Sequence, residues 1–515
     1  TNETTDLVRA LDEGRPFGVS AGSVGRIDTT AAHVFLVDDR AYKMKRPVRF
    51  SFLDFGSRAA RRAAFENELR LNRRTAPDLY LGLVKLVDDG GLLCLAPADD
   101  ARPAVEWLLE MVRFPAEAQL DRIAAAGPLS GDLADALGRA VVDLHRDAEP
   151  RPDKGGAEAM AEVVAGNRAD LAGLRPGLLA AADVARVDRA ARRALDRLAP
   201  LLDERRAQGF VRHCHGDLHL RNVVALDGRV VPFDCIEFND DFACIDVAYD
   251  LAFLLMDLVH RGDGAAAHRV LQIWLDETDD VAALHLLPFF MAVRATVRAK
   301  VEALAPEGEA DAGRIEAARA YLALALALEP PPPPRLIAVG GLSGSGKSTL
   351  ARVLAPALRP LPGAIVVRSD VVRKGLWGVP PSEKLPATAY GSAVTERVFE
   401  TLRTRAAAIL DAGFSVIVDA VHRRPDERAA VQAVAERAGV PFDGLWLDAP
   451  ADVLVARVRE RVHDASDADE AVVRAQLDLD AGPIEWLKLP AEQPVEVLAA
   501  RVVGQLERDP GTCEG

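Results

Sequence analysis

Two stretches of this 515-residue chain combine residue types and spacings that suit phosphate chemistry. In the first, the pattern G-x-x-x-x-G-K-[ST] begins at Gly341 and ends at Ser348. In such a loop the backbone N–H groups surround a phosphate, the lysine reaches the β- and γ-phosphates, and the hydroxyl holds Mg²⁺. An apolar run at 336–339 predicts a strand before the loop, and 349–358 has helical spacing. We therefore predict an ATP·Mg²⁺ site formed by Gly341, Ser343, Gly344, Ser345, Gly346, Lys347, Ser348 and Thr349.

The second stretch runs from His215 to Asn222 with the sequence HGDLHLRN, and Asp234 follows at the end of an apolar run. A loop of the form H-x-D-x-x-x-x-N presents a carboxylate to an attacking hydroxyl and an amide to a metal ion. A later aspartate at a strand end binds magnesium between the phosphates. An isolated Asp or His more often belongs to a surface loop, but the spacing of Asp217, Asn222 and Asp234 favours a second phosphoryl-transfer site.

Apolar periodicity predicts the elements that must position these groups. The predicted elements are a hairpin with strands 33–37 and 41–45, a helix over 57–74, a strand over 105–112 and helices over most of 117–205. Alternation puts Lys43 and Lys45 on one face of the second hairpin strand, and the helix that follows carries Glu66 and Glu68.

The motifs HGDLHLRN and FDCIE resemble those of the aminoglycoside phosphotransferase and choline kinase branch of the protein-kinase-like fold. The resemblance implies that Asp217 is the catalytic base and that Asn222 and Asp234 bind magnesium. It implies further nucleotide and acidic contacts at Lys43 (with Lys45 as its rival), Glu68 (with Glu66 as the weaker alternative), Glu110, Met111, Val112 and Glu237. A solvent-facing helix surface is the other interpretation of either helix glutamate. For a glycine-rich loop over the nucleotide the chain offers only a loose candidate, residues 17–25.

The residues after the phosphate loop resemble small P-loop kinases of the gluconate kinase, chloramphenicol phosphotransferase, polynucleotide kinase and zeta-toxin type. The run 365–370 is predicted to place Asp370 at a strand end, where these kinases keep a base for the substrate hydroxyl. Asp419 ends the apolar run 416–419 and is the type of residue that reaches magnesium or its waters. Arg373 and Lys374 begin a helix and could hold an anionic group.

A basic helix further on resembles the lid of these kinases. Arg457 and Arg461 are four residues apart and share a helix face, like lid arginines that neutralise the transferred phosphate. Residues 466–469 would then form the turn of the lid. A solvent-facing basic surface is the alternative interpretation.

Five consecutive prolines at 330–334 mark the predicted domain boundary, because they continue neither a helix nor a central strand. We predict a kinase-like domain at 1–329 and a P-loop kinase domain at 335–515, with a mixed α/β and α+β fold. Over nearly its whole length the chain resembles bacterial fusions of an aminoglycoside phosphotransferase and an ATP-binding domain.

The composition limits the partners of the protein. A net charge of −15 argues against nucleic acid or an anionic membrane as the main partner. No apolar run approaches a membrane span and the first residues lack a signal-peptide pattern, so we expect a cytoplasmic protein. The five cysteines show no C-x-x-C spacing, so we expect neither a zinc site nor a disulfide framework.

The sequence therefore predicts an ATP- and Mg²⁺-dependent phosphotransferase that acts on a hydroxyl of a small molecule such as a sugar, aminosugar or aminoglycoside. The P-loop domain is predicted to be a second, separate kinase. Two alternatives stay open: the P-loop domain is a regulatory ATPase, or the kinase-like domain acts on a protein or nucleic-acid acceptor. The residues indicate neither the particular acceptor nor an oligomeric state.

Overall fold

A computed structural model describes residues 2–50, 53–304, 312–328, 331–380, 383–460 and 466–508. The chain divides into two compact units. One comprises Thr1–Ala172 with Arg192–Arg261, and the other comprises Gly173–Ala191 with Gly262–Gly515. Both contain helices and strands, and the predicted mixed fold class is confirmed.

The described part of the first unit contains a six-stranded antiparallel sheet and three short strand pairs. Its strands are β1 (Val24–Asp28), β2 (Ala32–Val37), β3 (Arg40–Lys45), β4 (Arg49–Phe50), β5 (Leu53–Asp54), β6 (Tyr80–Asp89), β7 (Leu92–Pro97), β8 (Glu106–Val112), β9 (Val211–His213), β10 (Val223–Leu226), β11 (Arg229–Pro232) and β12 (Cys244–Asp246). The large sheet has the order β1-β2-β3-β8-β6-β7. The predicted hairpin is β2 and β3, and the predicted strand 105–112 is β8, so both are confirmed.

The helix predicted over 57–74 and the helices predicted within 117–205 are confirmed, apart from their exact ends. The described helices up to residue 261 also include one at Asn2–Asp12 that the sequence did not predict. The helices of this part of the chain are α1 (Asn2–Asp12), α2 (Arg58–Asn72), α3 (Leu120–Ala126), α4 (Gly131–Asp147), α5 (Gly156–Ala172), α6 (Ala181–Ala207), α7 (Asp240–Ala243) and α8 (Val247–His260). Helix α6 begins in the segment that groups with the second unit. Short 3₁₀ turns occur at Arg15–Phe17, Ala116–Ala118 and Leu220–Asn222.

Helix α2 carries an acidic side chain into the interior of the first unit. It begins after Ser57, whose hydroxyl accepts a hydrogen bond from the Ala60 N–H at 3.1 Å. Its Phe65 is fully buried in a core that includes Trp107 of β8. Because Glu68 lies three residues after Phe65, it shares that buried face of the helix.

The second unit is built on a parallel five-stranded sheet. Its strands are β13 (Leu336–Gly340), β14 (Ile365–Arg368), β15 (Val416–Asp419), β16 (Phe442–Asp448) and β17 (Leu487–Pro490). The strand order is β14-β15-β13-β16-β17. Its helices are α9 (Gly264–Thr278), α10 (Leu287–Ala303), α11 (Ala312–Leu328), α12 (Lys347–Leu354), α13 (Ser369–Leu376), α14 (Ser392–Asp411), α15 (Pro425–Ala438), α16 (Ala451–Glu460), α17 (Glu470–Leu477) and α18 (Val495–Arg508). Its 3₁₀ turns are Val281–His285, Ala355–Ala357 and Ala387–Tyr390.

Two predicted element ends in this unit need correction. Helix α12 stops at Leu354 and a 3₁₀ turn follows, whereas the apolar spacing predicted a helix to residue 358. Pro356 has no N–H to continue the helical hydrogen bonds, which accounts for the change. Strand β14 ends at Arg368, so Asp370 lies in the first turn of α13 and not at the strand end.

Cleavage within residues 331–334 is expected to leave both halves of the chain folded. The cut interrupts no described element, because α11 ends at Leu328 and β13 begins at Leu336. Since α9 to α11 group with the P-loop sheet, we also expect the two fragments to stay associated. A specific protease site placed there, followed by gel filtration and thermal unfolding of the nicked protein, measures both. Aggregation of either half would contradict the proposed boundary; Pro330 lies outside the described residues.

Candidate active sites

In the first unit, one buried glutamate holds both candidate lysines. Glu68 is fully buried, and its Oε1 and Oε2 accept hydrogen bonds from Lys43 Nζ and Lys45 Nζ, each at 2.7 Å. The sequence presented the two lysines as rivals, but in the structure both contact Glu68. Glu66, the alternative helix glutamate, instead pairs with Arg62 at 2.9 Å on the exposed face of α2.

The same two lysines reach the segment after β11. Lys43 Nζ donates to Asp234 Oδ1 at 2.7 Å, and Lys45 Nζ donates to Glu237 Oε1. The backbone of Asp234 has a left-handed φ of 62°, and its N–H donates to the Tyr80 hydroxyl at 3.0 Å. A non-glycine residue in this region is uncommon and is found preferentially at functional sites.

The charges of this network shift its pKa values in a consistent way. Burial alone would raise the pKa of Glu68, but Lys43 and Lys45 outweigh it and lower the pKa to about 2. Burial would likewise lower the pKa of Lys43, yet Asp234 and Glu68 raise it well above its usual value. Burial raises the pKa of Glu237 against the effect of Lys45. Glu68 and Lys43 are therefore both charged at neutral pH.

The unfolding free energy is expected to depend on Glu68 in acid. Its pKa in the folded protein, about 2, is below the ordinary 4.5, so its contribution is complete above pH 4.5 and is lost as pH falls towards 2. Between about pH 5 and about pH 3, we expect the unfolding free energy of the wild type to fall by about 1–2 kcal/mol more than that of Glu68→Gln. The raised pKa of Glu237 acts in the opposite direction and limits this difference. Urea unfolding at both pH values measures this, with Glu66→Gln as the matched control. Equal acid sensitivity in Glu68→Gln and the wild type would contradict the assignment.

The loop from His215 to Asn222 presents Asp217 at its surface. The Asp217 side chain is 40% exposed, and its Oδ2 lies 3.3 Å from His219 Nε2. Asn222 Nδ2 donates both to Asp217 Oδ2 and to the Asp217 carbonyl, each at 3.0 Å. The carboxylate is thus held by its neighbours and remains open to an incoming molecule, as a general base must be.

The hairpin of β10 and β11 brings the two predicted magnesium ligands to its open end. Val223 pairs with Pro232, and the Phe233 N–H donates to the Asn222 carbonyl at 2.9 Å. Asp234 is the next residue, so Asn222 and Asp234 flank the same end of the hairpin. Their amide and carboxylate oxygens are hard ligands of the kind that Mg²⁺ takes.

Carboxylates of helix α8 accept hydrogen bonds from the backbone of this loop, and the sequence analysis did not predict these contacts. Asp250 is fully buried and accepts hydrogen bonds from the N–H groups of His215 at 3.1 Å and Gly216 at 2.9 Å. Asp257 accepts from the Leu220 N–H at 3.0 Å. Asp246 is the N-cap of α8, and the available signal for Asp250 and Asp257 was the recurrence of carboxylates in a helix that is otherwise apolar.

His215 and Gly216 fix the path of the loop. Burial lowers the pKa of His215, but Cys235, Asp250 and Asp217 raise it to about 9. Its Nε2 donates to the Phe233 carbonyl at 2.8 Å, next to Asp234. Gly216 has a φ of 84°, and a Cβ there would lie 2.9 Å from the Phe242 carbonyl oxygen. Only glycine fits this position without a backbone shift.

The predicted nucleotide connector lies at the end of β8. In register with β3, Glu110 pairs with Tyr42, Met111 with Ala41, and Val112 with Arg40. The Tyr42 hydroxyl donates to Glu110 Oε1 at 3.2 Å, which keeps that carboxylate on the sheet. The loose glycine-rich candidate at 17–25 lies before and at the start of β1, whereas the turn between β1 and β2 is 29–31. Position in the sheet therefore does not favour it as a phosphate loop.

In the second unit, the predicted phosphate loop joins β13 to α12. Gly341, Gly344 and Gly346 have φ values of 137°, 85° and 90°, which favour glycine. A Cβ on Gly344 would lie 2.6 Å from the Leu454 carbonyl oxygen, so the close approach of α16 adds to the requirement. Lys347 Nζ donates to the Leu342 carbonyl at 3.0 Å. The turn thus has the conformation that surrounds phosphate with N–H groups.

The parallel pairing of β13 with β15 brings Asp419 to the phosphate loop. Ser348 Oγ donates to Asp419 Oδ2 at 2.5 Å, and Arg368 Nε lies 3.6 Å from the same oxygen. Asp370 and Thr349 line the same cavity of about 330 Å³ as Lys347 and Ser348. Burial, together with the charge of Asp419, raises the pKa of Asp370, which suits a proton acceptor. The side chains predicted to bind phosphate, to bind magnesium and to accept a proton thus line one cavity.

Cationic and aromatic side chains also line this cavity. Arg373 and Arg423 line it, together with the rings of Tyr390 and Phe399. The Arg373 guanidinium lies 4.9 Å from the Tyr390 ring centroid. Lys374, in contrast, is buried and pairs with Asp467 at 3.0 Å. Of the two cations predicted to hold an anion, Arg373 therefore lines the cavity, whereas Lys374 pairs with Asp467 in the predicted lid turn, 466–469.

The lid arginines are not placed at the cavity by the described residues. Arg457 donates to the Ala491 carbonyl at 2.8 Å and is absent from the described cavity lining. Arg461 lies outside the described part of the chain. Gln476 of α17, which no motif indicated, accepts from the Ser343 N–H at 2.9 Å and donates to Ser343 Oγ at 3.1 Å. A single glutamine in a short helix gives no sequence signal for this contact.

Comparisons with known proteins find a family match in each half of the chain. Residues 56–287 match the Phosphotransferase enzyme family, and residues 336–481 match the AAA domain family. An uncharacterized protein of Mycobacterium tuberculosis is 31% identical over 472 residues, which cover 88% of this chain and 90% of that one. The chain belongs to the family of that protein, and within this chain the phosphotransferase match precedes the AAA domain match. It is a phosphotransferase of the kinase type, as the sequence predicted.

Two further proteins resemble the separate halves. The adenylyl-sulfate kinase of Myxococcus xanthus is 36% identical over 119 residues, which cover 23% of this chain and 59% of that enzyme. A choline/ethanolamine kinase family protein from Mesorhizobium loti has 15% identity and a TM-score of 0.40, and the match covers 64% of this chain and 95% of the other. Within the described residues, no helix has the length and apolar character that crossing a membrane requires.

Proposed function

We propose that the protein is a cytoplasmic kinase with two ATP- and Mg²⁺-dependent sites, and that its N-terminal site phosphorylates a hydroxyl of a small molecule. The observation that carries the proposal is the partly exposed Asp217 carboxylate, held at 3.0 Å by Asn222 beside the loop that bears Asp234. A sugar, aminosugar or aminoglycoside has hydroxyls of the kind that such a carboxylate activates.

In this proposal each residue of the N-terminal site has one task. Asp217 accepts the proton of the acceptor hydroxyl as its oxygen attacks the γ-phosphorus of ATP, and ADP leaves. Lys43, fixed by Glu68, neutralises charge on the α- and β-phosphates. Asn222 and Asp234 hold magnesium, which supplies charge neutralisation between the phosphates when bound. The pairing of Lys43 with Asp234 at 2.7 Å keeps these two groups together before the nucleotide enters.

We propose that the C-terminal site is a second kinase whose acceptor carries an anionic group. Lys347 and the loop N–H groups hold ATP, Ser348 and Asp419 hold magnesium, and Asp370 accepts the proton of the acceptor hydroxyl. Arg373 and Arg423, which line the same cavity, supply two positive charges for an anionic acceptor. The similarity to an adenylyl-sulfate kinase supports adenylyl sulfate as the first acceptor to test.

The test is a panel of acceptors incubated with ATP and the wild type, Asp217→Ala and Asp370→Ala. The panel holds sugars, aminosugars, aminoglycosides, nucleosides and adenylyl sulfate, and product formation is followed by mass spectrometry. We expect the N-terminal product to vanish in Asp217→Ala and the C-terminal product to vanish in Asp370→Ala. A product that persists in both variants would refute both assignments.

The alternatives make different predictions in the same panel. A purely regulatory P-loop domain would give no product that depends on Asp370, although Lys347 would still be needed for ATP binding. The presence of Asp370 in the phosphate cavity favours a catalyst. A protein or nucleic-acid acceptor for the N-terminal site would give no small-molecule product that depends on Asp217. The net charge of −15 weakens the nucleic-acid option.

A further inference from the structure

Helix α9 presents polar side chains to the free edge of the P-loop sheet. Strand β14 is the first in the sheet order, so one of its sides has no neighbouring strand within the described residues. His268 Nε2 donates to the Ala364 carbonyl at 2.8 Å. Gln272 accepts from the Val366 N–H at 2.9 Å and donates to the Val366 carbonyl at 3.0 Å. One glutamine side chain thus makes both hydrogen bonds that a paired strand residue would make.

The spacing of the two side chains along α9 matches the spacing of their partners along β14. His268 and Gln272 are four residues apart, which is about 6 Å along a helix. Ala364 and Val366 are two residues apart, which is about 6.6 Å along a parallel strand. Gly363 leaves room for the ring, since a Cβ there would lie 3.0 Å from His268 Cδ2. Burial lowers the pKa of His268 to about 4, so the ring is neutral at pH 7. Its one remaining N–H, at Nε2, donates to the Ala364 carbonyl.

Further contacts fix α9 to the same unit. Asp276 Oδ1 accepts from Gln272 Nε2 at 3.0 Å and so orients the amide one helical turn away. Asp279, at the end of α9, accepts from Arg405 of α14 at 2.6 Å. Helix α9 lies within the phosphotransferase family match, 56–287, yet its side chains form hydrogen bonds with the P-loop sheet and with α14.

Strand β14 leads directly to the proposed base of the C-terminal site. It ends at Arg368, and Asp370 follows in the first turn of α13. Any shift of β14 along or away from the sheet would therefore move Asp370 relative to the phosphate loop, which is carried by β13. We propose that α9 is the edge partner of β14 and that Gln272 is a positioning residue for Asp370. The inference rests on the proposed kinase function of this site.

The test compares Gln272→Ala with Gln432→Ala in the full chain. Gln432 is the matched control, because it also donates to an acid four residues later, Glu436, but lies on the exposed face of α15. Hydrogen exchange of the peptide 364–372 is measured by mass spectrometry. ATP turnover is measured with and without adenylyl sulfate, and the Lys347→Ala rate is subtracted.

We expect Gln272→Ala to exchange peptide 364–372 about tenfold faster and to lower kcat about tenfold, with KM for ATP within about twofold of the wild type. Gln432→Ala should match the wild type in all three. A general loss of stability would instead speed exchange in the phosphate-loop peptide 341–349 and alter KM as well, and would overturn the positioning role. Unchanged exchange of 364–372 in Gln272→Ala would overturn the pairing itself. If the wild type shows no turnover that depends on Lys347, the proposed C-terminal activity and the positioning role fail together, and the exchange result alone decides the pairing of α9 with β14.

Discussion

The Asp217→Ala variant is expected to lose about a thousandfold of the N-terminal phosphoryl-transfer rate and to bind ATP nearly as well as the wild type. The carboxylate is 40% exposed and is oriented by Asn222 at 3.0 Å, so it is available to the acceptor. In the proposed mechanism it touches the acceptor hydroxyl, whereas Lys43 and Asp234 hold the nucleotide and its metal. Initial rates with the responding acceptor, measured in a Lys347→Ala background, isolate this site.

Two controls separate chemistry from folding. Asp78→Ala removes an exposed carboxylate that pairs with Arg229 at 2.7 Å on the surface, and it should leave the rate unchanged. Asp234→Ala should instead weaken binding of Mg·ATP, because it removes a proposed metal ligand and a partner of Lys43. Normal turnover in Asp217→Ala would exclude this residue as the base.

The Lys347→Ala variant is expected to bind ATP at the C-terminal site between about tenfold and about a hundredfold more weakly. The loop N–H groups remain, but the cation that meets the β- and γ-phosphates is lost. Titration of ATP into the Asp234→Ala protein, with and without Lys347→Ala, reports on this site alone. Lys488→Ala, an exposed lysine of β17 in the same sheet, is the matched control and should bind normally. Equal affinity in all of these proteins would remove the phosphate loop from the proposal.

The same variants ask whether the two sites communicate. Independent sites predict that Lys347→Ala leaves the Asp217-dependent reaction unchanged and that Asp217→Ala leaves the Asp370-dependent reaction unchanged. A regulatory P-loop domain predicts a changed rate or acceptor affinity at the N-terminal site in Lys347→Ala. Linkage then requires the acceptor to change ATP affinity at the P-loop by the same factor. We expect independence. A clear shift in P-loop affinity on addition of the N-terminal acceptor would argue against it.

Groups close together in sequence could be predicted because their spacing is itself the chemical signature. The loop from His215 to Asn222 and the loop from Gly341 to Ser348 are of this kind. The face shared by Lys43 and Lys45 also followed from strand alternation. The pairing of Glu68 with a lysine was implied by the family resemblance. The simultaneous use of both lysines did not follow, because the pattern of residues says nothing of how many donors one buried carboxylate will hold.

What could not be predicted depends on distant segments meeting. Asp250 lies 35 residues from His215, whose N–H it accepts, and Gln476 lies 133 residues from Ser343. A glutamine or aspartate in a helix has many possible uses, and packing decides among them. Likewise, α9 lies within the phosphotransferase family match, but its His268 and Gln272 form hydrogen bonds with residues 364 and 366 at the edge of the P-loop sheet. The proline run at 330–334 indicates that no helix or strand continues through it. It does not indicate against which part of the protein a preceding helix packs.

The hydrogen bonds of α9 to β14 bear on how this kinase could be divided and reused in engineered fusions. The phosphotransferase match ends at residue 287, and the AAA domain match begins at residue 336. A graft designed on the AAA domain match therefore omits α9. Such a graft would leave the Ala364 carbonyl and both backbone groups of Val366 at an open sheet edge, next to apolar strands. Uncovered edges of this kind recruit strands from other molecules. A transplant that starts at Gly262 brings its own edge cover and should stay dispersed where the shorter one aggregates.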